Sequence, residues 1–227
     1  MSELILVKAA SLIEGYLRDR GIMIEQFESF VKFEKTAAQI RKADVSEQFQ
    51  LSKFELFEEN AFWVKFSSKG KGIGVLAVRW ERLGKRSLAD HWKDQQVRLY
   101  PKPNKIGKKH SPAAHRIHGD VCYSGEFFLH RDFRGKEIAG LMVFYVFILA
   151  RLRWNMDWIY GLMSHQHAMR GFAMQCGFTI SEIAGTHWKK EPSGVSQTDH
   201  LVAVDRDNIV HRANIIAEFG VQALLPK

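Results

Sequence analysis

The sequence predicts a three-layer α/β fold, and three stretches of the chain lead to this prediction. Residues 125–140, which read GEFFLHRDFRGKEIAG, combine a strand-like apolar run, a polar turn and the start of an apolar helix. A second strand and helix follow over 158–178, and a hairpin of two apolar strands precedes them over 61–80. Strands that alternate with helices favour an α/β fold in which helices pack on a central sheet.

The N-terminal stretch, residues 1–21, predicts an amphipathic helix. Acidic and basic residues are interspersed among its apolar ones, whereas a signal peptide has a charged start and then an uninterrupted apolar core. We therefore expect no export and a cytoplasmic location. Residues 21–27 then predict a short strand, and residues 33–41 predict a short helix.

The hairpin over 61–80 contains a glycine-rich turn that imitates a phosphate-binding loop. Its strands are predicted over 61–66 and 73–80, and the stretch from Lys69 to Gly74 reads KGKGIG. This stretch leads into a β-branched, strand-like run and not into a helix, so no helix dipole is aimed at the turn. A turn function is therefore favoured over phosphate contact.

A basic segment over about 84–118 has no place in the simple strand–helix order. Residues 87–99 predict a helix, and residues 100–116 are rich in Pro, Lys and His, as in a surface loop. Long insertions between strands are often functional. The segment is thus a candidate lid or acceptor-binding loop, with a solvated basic loop as the equal alternative.

The polar turn after residue 129 has the properties of an anion-binding site. Arg134, Gly135 and Lys136 lie immediately before the apolar helix that begins near Ile138. The first N–H groups of a helix lack intrahelical partners, and the positive end of the helix dipole lies behind them. Phosphate oxygens bind well at such a helix start.

The helix after this turn is apolar at almost every position. Residues 138–150 read IAGLMVFYVFILA and are followed by Arg151 and Arg153. A bilayer requires about 20 apolar residues, so no membrane span is expected, and a core helix covered on several sides is favoured. The two arginines then complement the negative end of the helix dipole.

The C-terminal half predicts four further elements. Residues 158–163 predict a strand, and residues 167–178 predict a helix that ends in a Gly-Phe pair. Residues 200–204 and 208–219 predict a last strand and a last helix, which extend the edge of the sheet or cover it.

Composition and charge limit the partners. The chain has 227 residues, 46% of them hydrophobic and 26% charged, and its formal net charge is +8. These values are ordinary for a globular protein, and we expect one domain over 1–227. The positive charge suits an anionic partner: acyl-CoA, an acidic acyl-carrier protein or nucleic acid. No RNP-like or helix-turn-helix signature accompanies it, so nucleic acid ranks last.

Several common kinds of site find no support in the sequence. The two cysteines, Cys122 and Cys176, lie in apolar surroundings and predict buried thiols in a reducing compartment. His110, His115 and His118 lie close together, but their spacing matches no common zinc pattern. The sequence contains no G-x-S-x-G elbow of a serine hydrolase.

Residues 134–139 resemble the acyl-CoA-binding motif of the GNAT superfamily of N-acetyltransferases, which runs Arg or Gln, two residues, Gly, one residue, Gly or Ala. Arg134 and Ala139 match the pattern, whereas Glu137 stands where Gly is usual. A carboxylate at 137 repels a diphosphate if it points inward and is harmless if it points to solvent. The resemblance extends to Phe178, and within it Ala173 falls where many members carry a Tyr that protonates the leaving thiolate.

The resemblance implies a GNAT-like three-layer α/β/α fold with a mixed central sheet, in which two parallel strands splay at the cofactor site. The implied cofactor is acetyl-CoA or another acyl-CoA. Its pantetheine arm lies beside the backbone of the strand end, and its diphosphate lies in the turn. The cofactor-binding residues expected on this basis are Phe128, Leu129, His130, Arg134, Gly135, Lys136, Glu137, Ile138, Ala139 and Gly140.

Three side chains are candidates for proton transfer or cofactor contact. Glu126 shares a strand face with Phe128 and His130, and in some members that the chain resembles a carboxylate here acts as the base. The alternative is that it only pairs with a Lys or Arg. His165 and His167 alternate at the end of the following strand and could reach the same cleft, where His165 is a catalytic candidate and His167 a cofactor contact. A solvated or capping histidine is the alternative for each.

Two function classes remain. The first is an N-acyltransferase that moves an acetyl or longer acyl group from acyl-CoA to an amine, either a small molecule or a peptide, by direct attack. The second is a catalytically inactive protein of the same fold that binds CoA or an acyl-carrier protein in a regulatory role, and Glu137 and Ala173 favour it. The sequence identifies neither the acceptor nor the oligomeric state.

Overall fold

The computed structural model describes residues 2–41, 43–100, 103–135 and 137–225. The strands in this part of the chain are β1 (Ile22–Phe27), β2 (Ala61–Ser68), β3 (Lys71–Gly84), β4 (Lys105–Ile106), β5 (Gly119–Leu129), β6 (Trp158–Met163), β7 (Ile180–Glu182), β8 (Trp188–Lys190) and β9 (His200–Asp205). Seven of them form one sheet in the order β1-β2-β3-β5-β6-β9-β7. β5 and β6 pair in parallel and the other neighbours in this sheet pair antiparallel, so the predicted mixed sheet is confirmed.

The helices cover both faces of this sheet. They are α1 (Ser2–Arg18), α2 (Phe30–Arg41), α3 (Leu88–Leu99), α4 (Pro112–Arg116), α5 (Ile138–Trp154), α6 (His165–Met169), α7 (Phe172–Cys176) and α8 (Arg206–Phe219). Short 3₁₀ turns occur at Glu47–Phe49, Arg131–Phe133 and Val221–Leu224. The arrangement confirms the predicted three layers.

The first face of the sheet is covered by α1, α5 and α8. Helix α5 lies in the middle of this layer, where α1, α7 and α8 pack around it. Its side chains from Leu141 to Ile148 are all buried, which explains why the sequence is apolar at nearly every position. Among the described residues, no helix combines the length and the apolar character that crossing a membrane would require.

The second face carries a separate apolar core under α2, α3 and α4. Its largest fully buried side chains include Trp63, Trp92 and Tyr160. Arg79 of β3 is buried among them, with its guanidinium 4.1 Å from the ring centroid of Phe54 and 5.0 Å from that of Tyr123. Arg79 also donates to the backbone and side-chain oxygens of Gln48, so a charged group ties the 3₁₀ turn at 47–49 to the sheet.

The basic segment over about 84–118 is more ordered than a surface loop. The helix predicted over 87–99 is confirmed as α3. The prediction of a surface loop over 100–116 is partly wrong. β4 pairs with β8, and α4 packs against α3, with Ala113 and Ala114 fully buried. The apolar residues of this stretch are not spaced at the regular interval of a helix or a strand. The sequence therefore did not indicate that β4 and α4 form here.

Two other predictions need correction. The last strand, β9, lies between β6 and β7 inside the sheet and is not at its edge. The helix predicted over 167–178 is two short helices, because Gly171 between them has a φ of 76°. The helix after β9 was predicted correctly, and it packs against α1.

Candidate functional site

Two parallel strands separate in the middle of the sheet. β5 and β6 pair only over Val121–Tyr123 and Trp158–Tyr160. Beyond these residues β5 continues along β3, and β6 continues along β9. Each strand therefore follows its outer partner, and a gap opens between their inner edges. This gap is the splay of two parallel strands that the resemblance implied.

A β-bulge in β5 lies at the start of the gap. Between Gly125 and Phe128, β5 has two residues where β3 has one. One of the two, Glu126, has a φ of 62°, and a left-handed conformation costs a non-glycine residue about 1 kcal/mol. Bulges turn a side chain away from its regular direction, and here the bulge directs Glu126 towards α2.

The Glu126 carboxylate is held by two groups from the second face of the sheet. Its side chain is 4% exposed and forms an ion pair with Arg41, the last residue of α2. The N–H of Ser46 donates to Glu126 Oε1 at 3.1 Å. The side chain thus lies on the face predicted for it, the face to which Phe128 also contributes. The structure contains the alternative that the sequence left open, a pairing with Arg, and the role of base stays a prediction.

The polar turn between β5 and α5 has a defined conformation around Arg134. Arg134 Nε donates to the carbonyl of Leu129 at 2.8 Å, and its guanidinium carbon lies 5.6 Å from the ring centroid of Phe128. Gly135, with a φ of 72°, adopts a conformation that favours glycine. Lys136, predicted as a cofactor contact, lies outside the described residues. The turn therefore folds back on the end of β5 and leads directly into α5.

Glu137 occupies the N-cap position of α5 in an unusual conformation. Its φ of 58° and ψ of 7° are left-handed, and its side chain caps no N–H of the helix. The side chain is exposed, and Glu137 also belongs to the lining of the cavity described below. The motif has Gly at this position, and the left-handed backbone gives the physical reason, because only glycine adopts it without strain.

The start of α5 touches α7 closely. A Cβ built on Gly140 would lie 2.5 Å from the backbone oxygen of Gln175, so no larger residue fits without moving α7. Ala139 and Gly140 line the gap, whereas the side chain of Ile138 is 1% exposed and packs in the core. Any contact of Ile138 with a ligand would be made by its backbone.

The gap, the bulge and the polar turn surround one cavity of about 960 Å³. Its residues come from both splayed strands, the turn and the first turns of α5. The predicted site residues that line it are Glu126, Phe128, Leu129, Arg134, Gly135, Glu137, Ala139, Gly140 and His167. The cavity therefore joins the polar turn before α5 to the strand gap and to the Glu126 carboxylate.

His130 and His165, two of the predicted residues, do not line this cavity. The N–H of His130 donates to the carbonyl of Ile73 at 2.7 Å, so the sheet uses this amide. His165 Nδ1 lies 3.0 Å from Nε2 of His200, whose other ring nitrogen lies 3.0 Å from Ser181 Oγ. His165 does not line the cavity.

The two histidines after β6 do not share one side as predicted. The strand ends at Met163, and the next residues form helix α6, in which side chains two apart point in different directions. His167 does line the cavity, and its Nδ1 lies 2.7 Å from Ser164 Oγ. The prediction was wrong because it assumed that the alternation of side chains along β6 continues past Met163.

Ala173 offers no group to the cavity. It is 4% exposed, packs in the core of the first face and does not line the cavity. Hydroxyl and imidazole groups that do line it belong to Ser46, Tyr123, Ser124, Ser164 and His167. Burial raises the pKa of Tyr123 to about 12, against a smaller opposing effect of Arg79, so this phenol stays protonated near neutrality. The contact between Ser164 and His167 makes this pair a candidate for proton transfer.

Arg212 and Cys176 line the cavity near the end of α7. Arg212 of α8 donates to the backbone carbonyls of Met174 and Gln175 at the end of α7, and burial lowers its pKa. Cys176 is buried, which raises the pKa of its thiol and makes it a poor nucleophile. Within the described residues, no group of three or more His, Cys, Asp or Glu side chains could hold a metal ion.

Comparisons with known proteins return structural similarities only. No protein-family model matches the chain, and no curated protein sequence matches it. FeeM, an N-acyl amino acid synthase from uncultured soil microbes, is 13% identical and has a TM-score of 0.48 over 87% of this chain and 97% of its own. Arabidopsis thaliana NAA60 in complex with acetyl-CoA is 11% identical, with a TM-score of 0.47 over 82% and 99%.

A third similar structure is an acetyltransferase of the GNAT family from Streptococcus pneumoniae. It is 9% identical and has a TM-score of 0.46 over 81% of this chain and 99% of its own. At such low values the similarity carries no functional conclusion, and the function has to be inferred from the residues of this chain.

The cavity residues that sequence reasoning missed include three polar ones, Arg41, Ser46 and Ser164. Arg41 and Ser46 are far from β5 in the chain and reach it only because α2 packs across the second face. No local pattern marks them. Ser164 could have been found, since it is the first polar residue after the apolar run of β6, and polar residues at strand ends commonly line sites in α/β folds.

Proposed function

We propose that the protein is an N-acyltransferase that transfers an acyl group from acyl-CoA to an amine by direct attack. The observation that supports this most is the continuity of the cavity. It runs from an anion-binding turn at a helix start, along the gap between β5 and β6, to a buried carboxylate. A donor with a diphosphate at one end and a reactive thioester at the other fits this order of groups.

The residues around the turn suit a CoA diphosphate. Helix α5 has 17 residues, and the side chain at its N-cap position accepts from none of its first N–H groups, so these donors can bind oxygen anions. Arg134 adds a positive charge at the same place, and Arg170 also lines the cavity. The exposed Glu137 side chain can turn away from the diphosphate, although its charge lowers the local positive potential.

The chemistry needs few groups from the protein. A neutral amine attacks the thioester carbon, the C–N bond forms, and the C–S bond then breaks with departure of the CoA thiolate. Glu126 is the proposed acceptor for the proton that the amine loses, directly or through water. Ser164 with His167 is the proposed source of the proton that the thiolate takes up. Ser164 and His167 stand in for the Tyr that Ala173 replaces.

A second candidate function is binding of CoA, or of an acyl-carrier protein, without transfer. The burial of Ala173 in the core favours this alternative, because the acid of many similar enzymes is missing. The Arg41 ion pair also favours it, since a carboxylate that holds a guanidinium must exchange this partner before it can accept a proton.

Calorimetry followed by a turnover assay tests the proposal. We expect CoA and acetyl-CoA to bind, and Arg134→Ala to weaken both by about tenfold, because a charge-assisted contact contributes about 1.5 kcal/mol. Free thiol released from acyl-CoA in the presence of pooled amines then reports transfer. Binding without thiol release supports the second candidate, and failure of CoA to bind the folded protein contradicts both. Lys69→Ala, in the glycine-rich turn that no helix follows, is the control and is expected to leave binding unchanged.

A further inference from the structure

The wall of the cavity at the closed end of the gap is unusually apolar. Leu76, Leu141, Phe178 and Val202 line it there, and their side chains are 1%, 2%, 8% and 1% exposed. All four belong to the core of the first face. The cavity therefore extends from the anion-binding turn into the apolar core under α5.

The position of this apolar end follows from the strand register. Tyr160 is the last β6 residue that pairs with β5, and Gly161, the next residue, lies opposite Val202 of β9. On the other side, Leu76 of β3 lies beside the bulge of β5. The apolar end thus lies at the vertex of the splay, which is the point where β5 and β6 begin to separate. Its residues come from the neighbouring strands β3, β5, β6 and β9, and the two outer strands of this set are about 14 Å apart at ordinary strand spacing.

A glycine keeps the vertex open. A Cβ on Gly161 would lie 2.8 Å from the backbone oxygen of Ser124 and would approach Val202 and Phe178. Any side chain at this position would therefore collide with β5 or project towards the apolar wall. The absence of a side chain leaves space at the point where the two strands begin to separate.

Unfilled space in an apolar core is costly, because protein interiors are close-packed and lose dispersion contacts around a void. Apolar cavities exclude water and accept apolar ligands. The four apolar side chains offer no hydrogen-bond partner to the amides of a pantetheine arm. An acetyl group adds only one methyl group beyond the thioester carbonyl and leaves most of this wall without contact.

We infer that the apolar end of the cavity binds the hydrocarbon chain of a medium- or long-chain acyl thioester, so that the donor is a fatty acyl-CoA and not acetyl-CoA. This inference rests on the proposed acyl-CoA function and names its donor class. The thioester lies at the splay, the diphosphate lies at the start of α5, and the chain extends towards Leu76 and Val202.

The first test is the dependence of affinity on chain length in the unmodified protein. Calorimetry is carried out with CoA and with acetyl-, butyryl-, octanoyl- and dodecanoyl-CoA below their micelle concentrations. Each buried methylene group is expected to tighten binding by up to about fourfold, so dodecanoyl-CoA should bind about a hundredfold tighter than acetyl-CoA or more. If CoA binds and all acyl derivatives bind within about threefold of one another, the inference is wrong while the proposed function survives. If CoA itself does not bind, the proposed function fails first.

Substitutions at Val202 distinguish the cavity from non-specific binding at the surface. The readout is the ratio of dodecanoyl-CoA affinity to CoA affinity for each variant. Val202→Phe fills the apolar end and is expected to lower this ratio by about tenfold or more. Val202→Ala enlarges it and is expected to shift the preferred chain to a longer one.

Val204→Ala is the matched control for Val202→Ala. Val204 lies on the same strand and the same sheet face, is also 1% exposed and does not line the cavity. Both alanine variants should lose similar stability, and only the one at 202 should change the chain-length preference. If Val202→Ala and Val204→Ala prefer the same acyl-chain length, the inference is wrong. This comparison holds even if Val202→Phe does not fold.

Discussion

The guanidinium of Arg41 forms an ion pair with the Glu126 carboxylate and so connects the end of α2 to the bulge of β5. The pair lies in the cavity wall, with the Arg41 side chain 24% exposed and the Glu126 side chain 4% exposed. An amine that arrives as an ammonium ion competes with Arg41 for this carboxylate. In the proposed mechanism, Arg41 therefore positions the Glu126 carboxylate in the unliganded protein. When the acceptor binds, its amine replaces Arg41 as the partner of this carboxylate.

Removing one partner of this pair is expected to cost more than removing both. Arg41→Gln leaves an almost buried carboxylate with only the Ser46 N–H as partner, and we expect a loss of about 2 kcal/mol in the free energy of unfolding. The double variant Arg41→Gln with Glu126→Gln should recover most of this loss. Urea denaturation of the two single variants and the double variant measures the coupling. Additive losses would mean that the two side chains do not interact.

Glu137 combines a strained backbone with a negative charge at the turn that is proposed to bind the diphosphate. Glu137→Gly removes both, and we expect the protein to gain about 1 kcal/mol in stability because the left-handed conformation suits glycine. Affinity for CoA should rise by about threefold, since a negative charge near the diphosphate is lost.

The control for this variant is Glu137→Gln, which removes the charge and keeps the strain. It should reproduce the gain in CoA affinity without the gain in stability. Thermal unfolding and calorimetry of the two variants separate the two effects. If Glu137→Gly is no more stable than Glu137→Gln, the backbone at this position is not strained.

The parts of the fold that could be predicted from the sequence depend on patterns within a few residues. The hairpin of β2 and β3 follows from two apolar strands around a glycine-rich turn, and α5 follows from a polar turn before an apolar run. The splay and the mixed sheet came from the resemblance, and the strand pairing confirms them. The start of α5 after the polar turn could be predicted because helix starts have a local signature.

The rest depends on contacts between distant segments. The partner of Glu126 is Arg41, and nothing near either residue indicates that α2 ends beside the bulge. The different directions of His165 and His167 depend on where β6 ends, and element boundaries are the least certain part of a sequence-based prediction. β9 was predicted at the edge because the sequence does not indicate that the short β7 pairs outside it.

His167 and His165 should differ in their effect on turnover. His167 contacts Ser164 in the cavity wall, whereas His165 contacts His200 outside it. We expect His167→Asn to lower kcat by about tenfold or more, because proton transfer by a positioned side chain contributes at least this much. His165→Asn, the matched control, should change kcat by less than about twofold. Thiol release at saturating acyl-CoA measures both, and equal effects of the two substitutions would contradict the assignment.

The two helical glycines Gly140 and Gly15 should respond to alanine in opposite ways. At Gly140 a Cβ would meet the Gln175 backbone oxygen at 2.5 Å, so Gly140→Ala must displace α7 and should cost about 2 kcal/mol. At Gly15, in α1, a Cβ would meet nothing within 4 Å. Gly15→Ala should therefore stabilise the protein by about 0.5 kcal/mol through helix propensity. Chemical denaturation compares them, and similar effects at both positions would show that α5 and α7 are not in close contact.

His110 makes the stability of the second core dependent on pH. Its side chain is buried, Nδ1 accepts the N–H of His187 at 3.1 Å, and the ring centroid lies 5.6 Å from that of Trp92. Burial, and then the charges of His115 and His187, lower the pKa of His110 from 6.5 to about 4. Between pH 6.5 and pH 4 the unfolded chain therefore binds a proton that the folded chain does not, and stability falls as the pH falls through this window.

We expect His110→Asn to flatten this dependence. The Asn carbonyl oxygen can still accept the His187 N–H, and it does not titrate. Between about pH 7 and pH 5 the variant should lose about 1 kcal/mol less stability than the unmodified protein. His118→Asn, at an exposed position in the same segment, is the control and should keep the original slope. Urea denaturation at several pH values measures the slopes, and an identical slope in His110→Asn would mean that the buried imidazole accepts its proton as readily as a free one.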